Sequence, residues 1–232
     1  MIAEATVVDC DGRTTREVIR AIRAAIEAGQ AVRVVHPGAR HNIAVVVLRP
    51  GHIVVEGSAG YYCGGMNDGA TVEIRGSAGW GVGEGMLSGR VTVEGNAGNG
   101  AAAAIRGGTV VVRGDCAARA GVTMKGGLLL VAGDAGYMTG FMMQRGTVVI
   151  CGDAGDALAD SMYEGVVFVG GAVASLGNDA VYADVTAEDA TMLADAFRPA
   201  GVATPPRLRK IVAGRKLWNF ERSEIALWRE AL

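Results

Sequence analysis

The side chains best suited to chemistry stand close together near the start of the sequence. His36, Arg40 and His41 lie on either side of a Pro37-Gly38 step. Two histidines at this spacing could bind a metal ion, but a protein site needs about three ligands, and no third ligand stands beside them in the sequence. The pattern therefore favours a structural or interface turn, and we expect no metal site on this chain.

Cys63 is a candidate nucleophile. A free enzyme that pairs Cys63 with His36 or His41 is one hypothesis, because a thiol is activated by a neighbouring base. The spacing places no base next to Cys63, however, so a buried and unreactive cysteine is favoured. Position 2 is Ile2, so the sequence also lacks the terminal nucleophile that a class II amidotransferase exposes after processing.

Cysteine usage and charge exclude several classes of function. No two of the four cysteines form a Cys-x-x-Cys pair, which disfavours a zinc knuckle or an iron–sulfur cluster and predicts a reducing, cytoplasmic environment. The net charge of -2 gives no attraction to nucleic acid. No apolar run approaches the roughly 20 residues of a membrane helix, so we expect neither nucleic-acid nor membrane partners.

The 36 glycines invite a phosphate-loop interpretation, most of all at Gly81-Val82-Gly83-Glu84-Gly85. A dinucleotide fingerprint needs a helix directly after its glycines, and no helical pattern follows here. The glycines belong instead to a Gly-[Ser/Asn/Asp]-Ala-Gly signature that recurs every 19 residues. Its anchor glycines are Gly57, Gly76, Gly95, Gly114, Gly133 and Gly152, with Gly38 and Gly171 in phase at the two ends.

A short β-type run follows at the same place in each repeat. Counting the anchor glycine as position 0, a second glycine stands near position 13, and positions 15 and 17 are always aliphatic, as in Ile53/Val55 and Val72/Ile74. One such strand cannot bury its apolar face alone, whereas stacked coils can. The sequence therefore predicts an all-β fold, a single-stranded, right-handed parallel β-helix with 19-residue coils and glycines at the corners.

Side chains at equal positions in successive coils should form columns along the stack. Position 18 alternates in charge through Glu56, Arg75, Glu94 and Arg113, so we expect neighbours to pair. Position 16 becomes apolar at Val111, Leu130, Val149 and Phe168, which requires a cover from the chain's own C-terminal part or from a partner. Position 10 predicts a buried apolar column: Leu48, Met66 (shifted by one), Met86, Ile105, Met124, Met143 and Met162.

Three segments follow from these patterns. Residues 1–35 are expected to form a small α/β cap, whose helix begins at the Thr14-x-x-Glu17 capping box. Residues 36–185 form the β-helix, and residues 186–232 form a helical C-terminal extension. In that extension an amphipathic stretch from Ile211 to Leu232 carries Trp218, Phe220 and Trp228, and could cover either the chain's own coils or a partner.

The sequence resembles the GXGXG β-helix domain of glutamate synthases. The resemblance lies in the recurrent coils, in Gly38-Ala39-Arg40-His41-Asn42 and in 214–220. At 60–67, 152–158 and 173–177 it is closer to the free-standing version, the β-helix subunit of N-methylglutamate synthase, also called the GlxC type. The β-helix subunit of formylmethanofuran dehydrogenase and of related formyltransferase/hydrolase complexes is similar in its coils.

This resemblance implies a non-catalytic scaffold in a hetero-oligomer. In the glutamate-synthase type, the β-helix bridges a glutamine amidotransferase subunit and an FMN-dependent synthase subunit; the FMN and the iron–sulfur cluster belong to the partner, and this chain binds no cofactor. The alternative is the scaffold of a formylmethanofuran dehydrogenase or formyltransferase/hydrolase complex. The candidate partner-interface residues are His36, Arg40, His41, Asn42, Tyr61, Tyr62, Trp218, Phe220 and Trp228.

Overall fold

The computed structural model describes residues 5–215. The chain begins with β1 (Thr6–Asp9), α1 (Thr15–Glu27) and β2 (Val32–Val35). The next seven strands are β3 (His52–Val55), β4 (Thr71–Ile74), β5 (Arg90–Val93), β6 (Thr109–Val112), β7 (Lys125–Val131), β8 (Arg145–Ile150) and β9 (Val166–Val169). The described part ends with β10 (Ala180–Ala183), α2 (Ala187–Ala200) and β11 (Arg209–Ala213). All eleven described strands form one sheet, in chain order except that β11 lies between β9 and β10.

The predicted all-β, parallel β-solenoid is confirmed, with about seven turns of about 19 residues. Strands β3 to β9 pair in parallel, and each residue lies beside the one 19 positions later, as Ile53 beside Val72 and Val72 beside Val91. Positions 15 and 17 face inward, and their aliphatic side chains are fully buried. A one-residue slip would turn this set outward, so burial fixes the register.

A second wall of the solenoid is built from position 2. There, single residues of successive coils form isolated parallel bridges, Ala59 to Ala78, Ala97, Cys116, Ala135, Ala154 and finally Val173. Ala59 to Ala154 are all buried, so the small side chains fill the narrow inward site that the sequence predicted.

The two predicted glycine corners have different physical causes. Gly108 (φ +79°) and Gly146 (φ +107°), at position 13, adopt the left-handed region that disfavours other residues. The anchor glycines from Gly76 to Gly171 have no such φ. At Gly133, for example, an added Cβ would overlap the Asp115 side chain and the backbone of Gly114. Conformation therefore selects glycine at one corner and space at the other.

Position 1 explains the polar member of the signature. The side chain there accepts a hydrogen bond from the backbone N–H of the same position in the next coil: Ser58 from Ser77 (3.1 Å), Asn96 from Asp115 (2.9 Å) and Asp134 from Asp153 (2.7 Å). Ser77, Asp115 and Asp153 do the same. The sequence showed that these acceptor side chains recur, but it did not show which N–H groups they bind.

The position 10 column is only partly as predicted. Met86, Ile105, Met124, Met143 and Met162 are fully buried. The assignments of Leu48 and Met66 were wrong, because both are more than half exposed. In their coils Val47 and Asn67 are buried instead, and Asn67 satisfies its amide by bonds to the backbone N–H and C=O of Ala70 (3.1 and 2.7 Å).

The N-terminal cap matches its prediction. Thr14 and Glu17 form the capping box of α1, whose residues Val18, Ile22 and Ile26 are buried over the first coil, with Ile19 half-buried. Strands β1 and β2 pair in parallel, and β2 pairs with β3, so the cap extends the sheet to β1.

The apolar stripe at position 16 is covered by the chain itself. Val111, Leu130, Val149 and Phe168 are fully buried in a second cluster with Leu193, Phe197 and Ala200 of α2. The helix predicted from Thr186 is thus present, with its Thr186/Asp189 capping box. The amphipathic stretch predicted from Ile211 is wrong at its start, because 211–213 belong to β11, which pairs antiparallel with β9 and β10. Residues 216–232 of that stretch lie outside the described residues.

The alternating charges at position 18 pair at one place only within residues 5–215. Arg113 Nε lies 3.0 Å from Glu94. Arg75 instead contacts Glu73 (2.7 Å), a position 16 residue of its own coil that also meets His52 Nε2 (2.8 Å). The half-buried carboxylate of Glu73 lies between the His52 ring and the Arg75 guanidinium, so Arg75 pairs within its own coil.

Candidate functional site

The turn that follows β2 fastens the N-terminal cap to the first coil. His36 Nδ1 lies 2.9 Å from Asp9 Oδ1 and 3.6 Å from Asp11. Arg40 donates to the carbonyls of Arg13 (2.7 Å) and Cys10 (2.9 Å). His36 and Arg40, predicted as partner-interface residues, therefore have structural partners within the chain.

The fold places two carboxylates beside His36 that the sequence does not show near it, whereas His41 is not part of this group. Asp9, Asp11 and His36 bring ligand atoms within 4.8 Å of one another, because parallel pairing sets Asp9 beside Val35. The sequence could not show this, since the acids lie far from the histidine along the chain. The Asp9 carboxylate raises the pKa of His36, while a backbone N–H from Asp11 and the His36 ring lower the pKa of Asp9. As it stands the group is an exposed ion pair.

Three aromatic rings stack along one column of the turn side of the solenoid. The His41 and Tyr61 rings are 4.4 Å apart and nearly parallel, and Trp80 stacks on Tyr61 at 5.2 Å. Tyr62 meets Tyr61 edge-on at 6.4 Å, and His41 Nδ1 accepts the backbone N–H of Tyr61 (2.9 Å). The structure thus brings three of the predicted interface residues, His41, Tyr61 and Tyr62, together with Trp80. Trp80 was not predicted, although it stands 19 positions after Tyr61 in the sequence.

Asn42 belongs to the same turn but contributes through its backbone. It has a left-handed conformation (φ +60°), and its N–H donates to the carbonyl of Tyr61 (2.8 Å). Asparagine tolerates this conformation better than most residues. The predicted Trp218, Phe220 and Trp228 lie outside the described residues.

A groove of about 610 Å³ opens beside the aromatic stack. Tyr62 and Trp80 stand at one end and Tyr137 at the other, above a floor of small residues that includes Gly100 and Ala103. Glu84 and Arg119 are its charged residues. Burial raises the pKa of the Glu84 carboxyl, and neither side chain makes an ion pair within residues 5–215. The groove combines exposed aromatic rings with an acidic and a basic side chain that have no ion-pair partner within the described residues, which suits a polypeptide ligand.

Cys63 is not placed for catalysis. Its side chain is fully buried in the main core, and burial raises the pKa of the thiol to about 12. The hypothesis of a free enzyme with Cys63 as nucleophile is therefore wrong. The two histidines considered as its base also have other partners, since His36 binds Asp9 and His41 stacks on Tyr61. Burial likewise raises the pKa of Cys116 to about 12 and that of Cys151 to about 11.

The glycine-rich run 81–85 is a turn of the solenoid. Gly81, Gly83 and Gly85 have φ values of +66°, +69° and +67°. Equivalent positions of later coils keep this conformation with other residues, among them Ala102, Ala104 and Met142. The left-handed backbone of this turn therefore explains the glycines. The next element is strand β5 and not a helix, which agrees with the prediction that the run is not a phosphate loop.

Comparison with solved structures gives a chain from the crystal structure of the formyltransferase/hydrolase complex (FhcABCD) of Methylorubrum extorquens in complex with methylofuran. The two chains are 26% identical, with a TM-score of 0.52, and the match covers 65% of this chain and 67% of that chain. No protein-family model and no curated protein matches this sequence. Neither helix within residues 5–215 has the length and apolar character to cross a bilayer.

Proposed function

We propose that this protein is a structural subunit of a multisubunit enzyme complex, with the role of a scaffold of the formyltransferase/hydrolase type. The similarity to a chain of such a complex supports this type over the glutamate-synthase type. The subunit acts by position: it holds partner subunits at a set separation and leaves the reaction to them.

One observation carries the proposal. Along the solenoid, the residue types that most often do chemistry serve the fold: Cys63 and Cys116 fill the core, His36 and Arg40 fasten the cap, and the polar side chains at position 1 bond the next coil. At about 4.8 Å per coil, the six steps from β3 to β9 span about 29 Å. A hydrogen-bonded stack of that length suits a rigid spacer between partners.

The glutamate-synthase type remains a second candidate because of the segment 60–67. Its side chains divide by burial: Tyr61, Tyr62 and Met66 are exposed, while Cys63 and Asn67 are buried. The resembling segment thus offers a surface to a partner. In this version the chain would bridge a glutamine amidotransferase and an FMN-containing synthase with its iron–sulfur cluster, so that ammonia passes between them.

Purification of the tagged full chain from its native cells, followed by mass spectrometry of its stoichiometric partners, separates the candidates. Formyltransferase and hydrolase subunits are expected. An amidotransferase together with a flavoprotein would replace the first candidate by the second. A chain that elutes alone at native expression levels would overturn the scaffold role.

Two variants of the purified complex test whether this subunit takes no part in the reaction. Cys63→Ala should leave the turnover of the complex within about two-fold, because a packing change of this kind alters stability by only about 1–2 kcal/mol. Tyr62→Ala with Trp80→Ala should weaken assembly and leave the turnover of the intact fraction unchanged. Loss of turnover in intact Cys63→Ala complex would contradict the proposal.

A further inference from the structure

The groove beside Trp80 is built on two ladders of hydrogen bonds between coils. In the first, the backbone N–H at position 5 of one coil donates to the carbonyl at position 4 of the next coil: Tyr62 to Trp80 (2.8 Å), Gly81 to Asn99 (2.9 Å), Gly100 to Ala118 (3.0 Å) and Arg119 to Tyr137 (2.8 Å). The second joins position 9 of one coil to position 8 of the next, as in Met66 to Glu84 (2.7 Å) and Thr123 to Phe141 (2.8 Å). Because each step is about 4.8 Å, distances along the groove can be counted in coils.

The bulky and small side chains of the groove are arranged about one coil, residues 95–113, which we call the central coil. At position 4, Trp80 stands one coil before the central coil and Ala118 one coil after it. Trp80 is 53% exposed, whereas Ala118 leaves space at its place in the groove. The central coil itself has only short side chains in the groove, namely Asn99, Gly100, Ala103 and Ala104. Bulk on one side of the centre therefore corresponds to space on the other side.

The two charged residues of the groove lie about the same centre. Glu84 stands one coil before the central coil, at position 8, and Arg119 stands one coil after it, at position 5. These two positions of a coil are close, because the N–H of Glu84 donates to the carbonyl of Gly81 (3.0 Å) and closes a tight turn. Opposite charges therefore stand equally far from the centre, one coil on either side.

This arrangement is complementary to itself. In a symmetric dimer with its two-fold axis across the central coil, the two solenoids are antiparallel, and each coil before the centre faces the coil equally far after it. Trp80 then faces Ala118 of the second copy. Arg119 faces Gly81 of the second copy, one tight turn from Glu84, so two equivalent ion pairs form. A partner of unrelated sequence would give no reason for this symmetry.

The outer coils of the same face agree with this pairing. Two coils from the centre, the half-buried Phe141 would face Gly65 of the second copy, which has no side chain to oppose it. Met66 and Met142, which are 57% and 36% exposed, would face each other and become covered. Five coils, about 19 Å from the first to the last, thus contribute to one continuous face.

We propose that the groove binds a second copy of this chain in a symmetric, antiparallel homodimer. Trp80 of each copy packs over Ala118 of the other. Glu84 of each copy pairs with Arg119 of the other. The proposal goes beyond the scaffold role and does not rest on it; in an assembled complex, the dimer would join two sets of partner subunits into one particle.

Charge exchange in the full chain tests the dimer by sedimentation velocity. The native protein should dimerise reversibly at micromolar concentration. Glu84→Arg and Arg119→Glu should each be monomeric, because each substitution places like charges face to face at both contacts. An equimolar mixture of these two variants should dimerise again, since every introduced charge then meets an opposite charge on the other variant. The control Arg16→Glu, at an exposed position of α1, should dimerise as the native protein does.

A cysteine on the two-fold axis tests the same face independently of charge. Asn99 belongs to the central coil and so lies beside Asn99 of the second copy. Asn99→Cys should form an intermolecular disulfide under mild oxidation several-fold faster than Glu188→Cys. Glu188 is exposed on α2, which packs on a different side of the solenoid, over the position 16 side chains.

The outcomes that would overturn the proposal are distinct from those that test the scaffold role. A native chain that is monomeric at every concentration, single charge variants that dimerise as the native protein does, or equal cross-linking of the two cysteine variants would each overturn it. A chain that remains monomeric until other subunits are added would assign the groove to a different protein and would equally overturn it. None of these results decides which subunits purify with the chain, which is the test of the scaffold role.

Discussion

Asp115, Asp134 and Asp153 stand at the same position of three consecutive coils and hydrogen-bond the next coil. Their acceptor oxygens are needed, but their charges repel one another at the spacing of adjacent strands. Asp134→Asn keeps an acceptor and should leave the free energy of unfolding unchanged or raise it slightly. Asp134→Ala removes the bond and should lower it by about 1 kcal/mol. Urea denaturation of both variants measures the difference; equal stability would show that the bond contributes nothing.

Backbone conformation at position 9 gives a second residue-scale prediction. Gly85 has φ +67°, and the atom nearest to an added Cβ, Met66 Cγ, lies at 3.6 Å, so Gly85→Ala introduces strain without a clash. We expect a loss of about 1 kcal/mol. Ala104 occupies the same position of the next coil at φ +54°, so Ala104→Gly should gain up to about 1 kcal/mol. Melting temperatures that shift in the same direction for both variants would contradict this account.

The His36–Asp9 pair predicts a pH dependence of stability. The pKa of His36 is raised above its ordinary 6.5, so its contribution is complete below that pH and is lost as the pH rises through the raised pKa. The pKa of Asp9 is lowered from 3.8, so its contribution is lost only as the pH falls through the lowered value. The pair therefore stabilises most between about pH 4 and 6.5.

Comparison with His36→Asn isolates this effect, because asparagine tolerates the left-handed conformation of residue 36 (φ +50°). The difference in unfolding free energy between native protein and variant should shrink from pH 6 to pH 9. A constant difference across this range would exclude protonation of His36 as the cause.

At the scale of elements, helix α2 shields the apolar position 16 side chains of β6 to β9 from solvent. Phe197 is buried against this stripe, so Phe197→Ala should lower the free energy of unfolding by about 3–4 kcal/mol. The exposed Glu188 of the same helix provides the control, and Glu188→Ala should change stability by less than about 0.5 kcal/mol. Dye binding to the uncovered stripe would accompany the loss in Phe197→Ala; similar effects of the two substitutions would show that the helix does not act as a cover.

The periodic elements were predictable from the sequence, and the aperiodic contacts were not. The fixed 19-residue spacing predicted the strands, their inward-facing aliphatic pairs and the burial of small residues such as Ala59 and Ala78, because each coil repeats the same environment. Leu48 was misplaced because its coil buries Val47, one position earlier, and Met66 was misplaced because the polar Asn67 occupies the regular buried position. Asp9 beside His36 and α2 over Phe168 join distant segments, for which spacing carries no information.

The candidate site divides in the same way. His41, Tyr61 and Trp80 stack because they recur at nearly one coil length, and this could have been recognised from the repeat. The burial of Cys63 followed from the absence of a base near it in sequence and is confirmed. The groove could not be predicted, since it exists only where small residues of two coils lie between aromatic ones.

For the whole molecule, equal coils mean that length can change only in whole turns. Deletion of residues 76–94 joins Arg75 to Gly95, lets β4 meet β6 in register and should give a folded protein about 4.8 Å shorter. Deletion of 76–85 alone breaks the register and should prevent folding. Circular dichroism and X-ray scattering distinguish these outcomes, and a folded half-coil deletion would contradict the requirement for register.

The 19-residue register therefore has an evolutionary corollary. Tandem duplication or loss of a short DNA stretch of matching size would lengthen or shorten the protein without passing through a misfolded intermediate. Homologues should consequently differ in length by multiples of one turn. Each added or lost turn would change the distance between any two proteins bound at the two ends of the solenoid by one coil spacing.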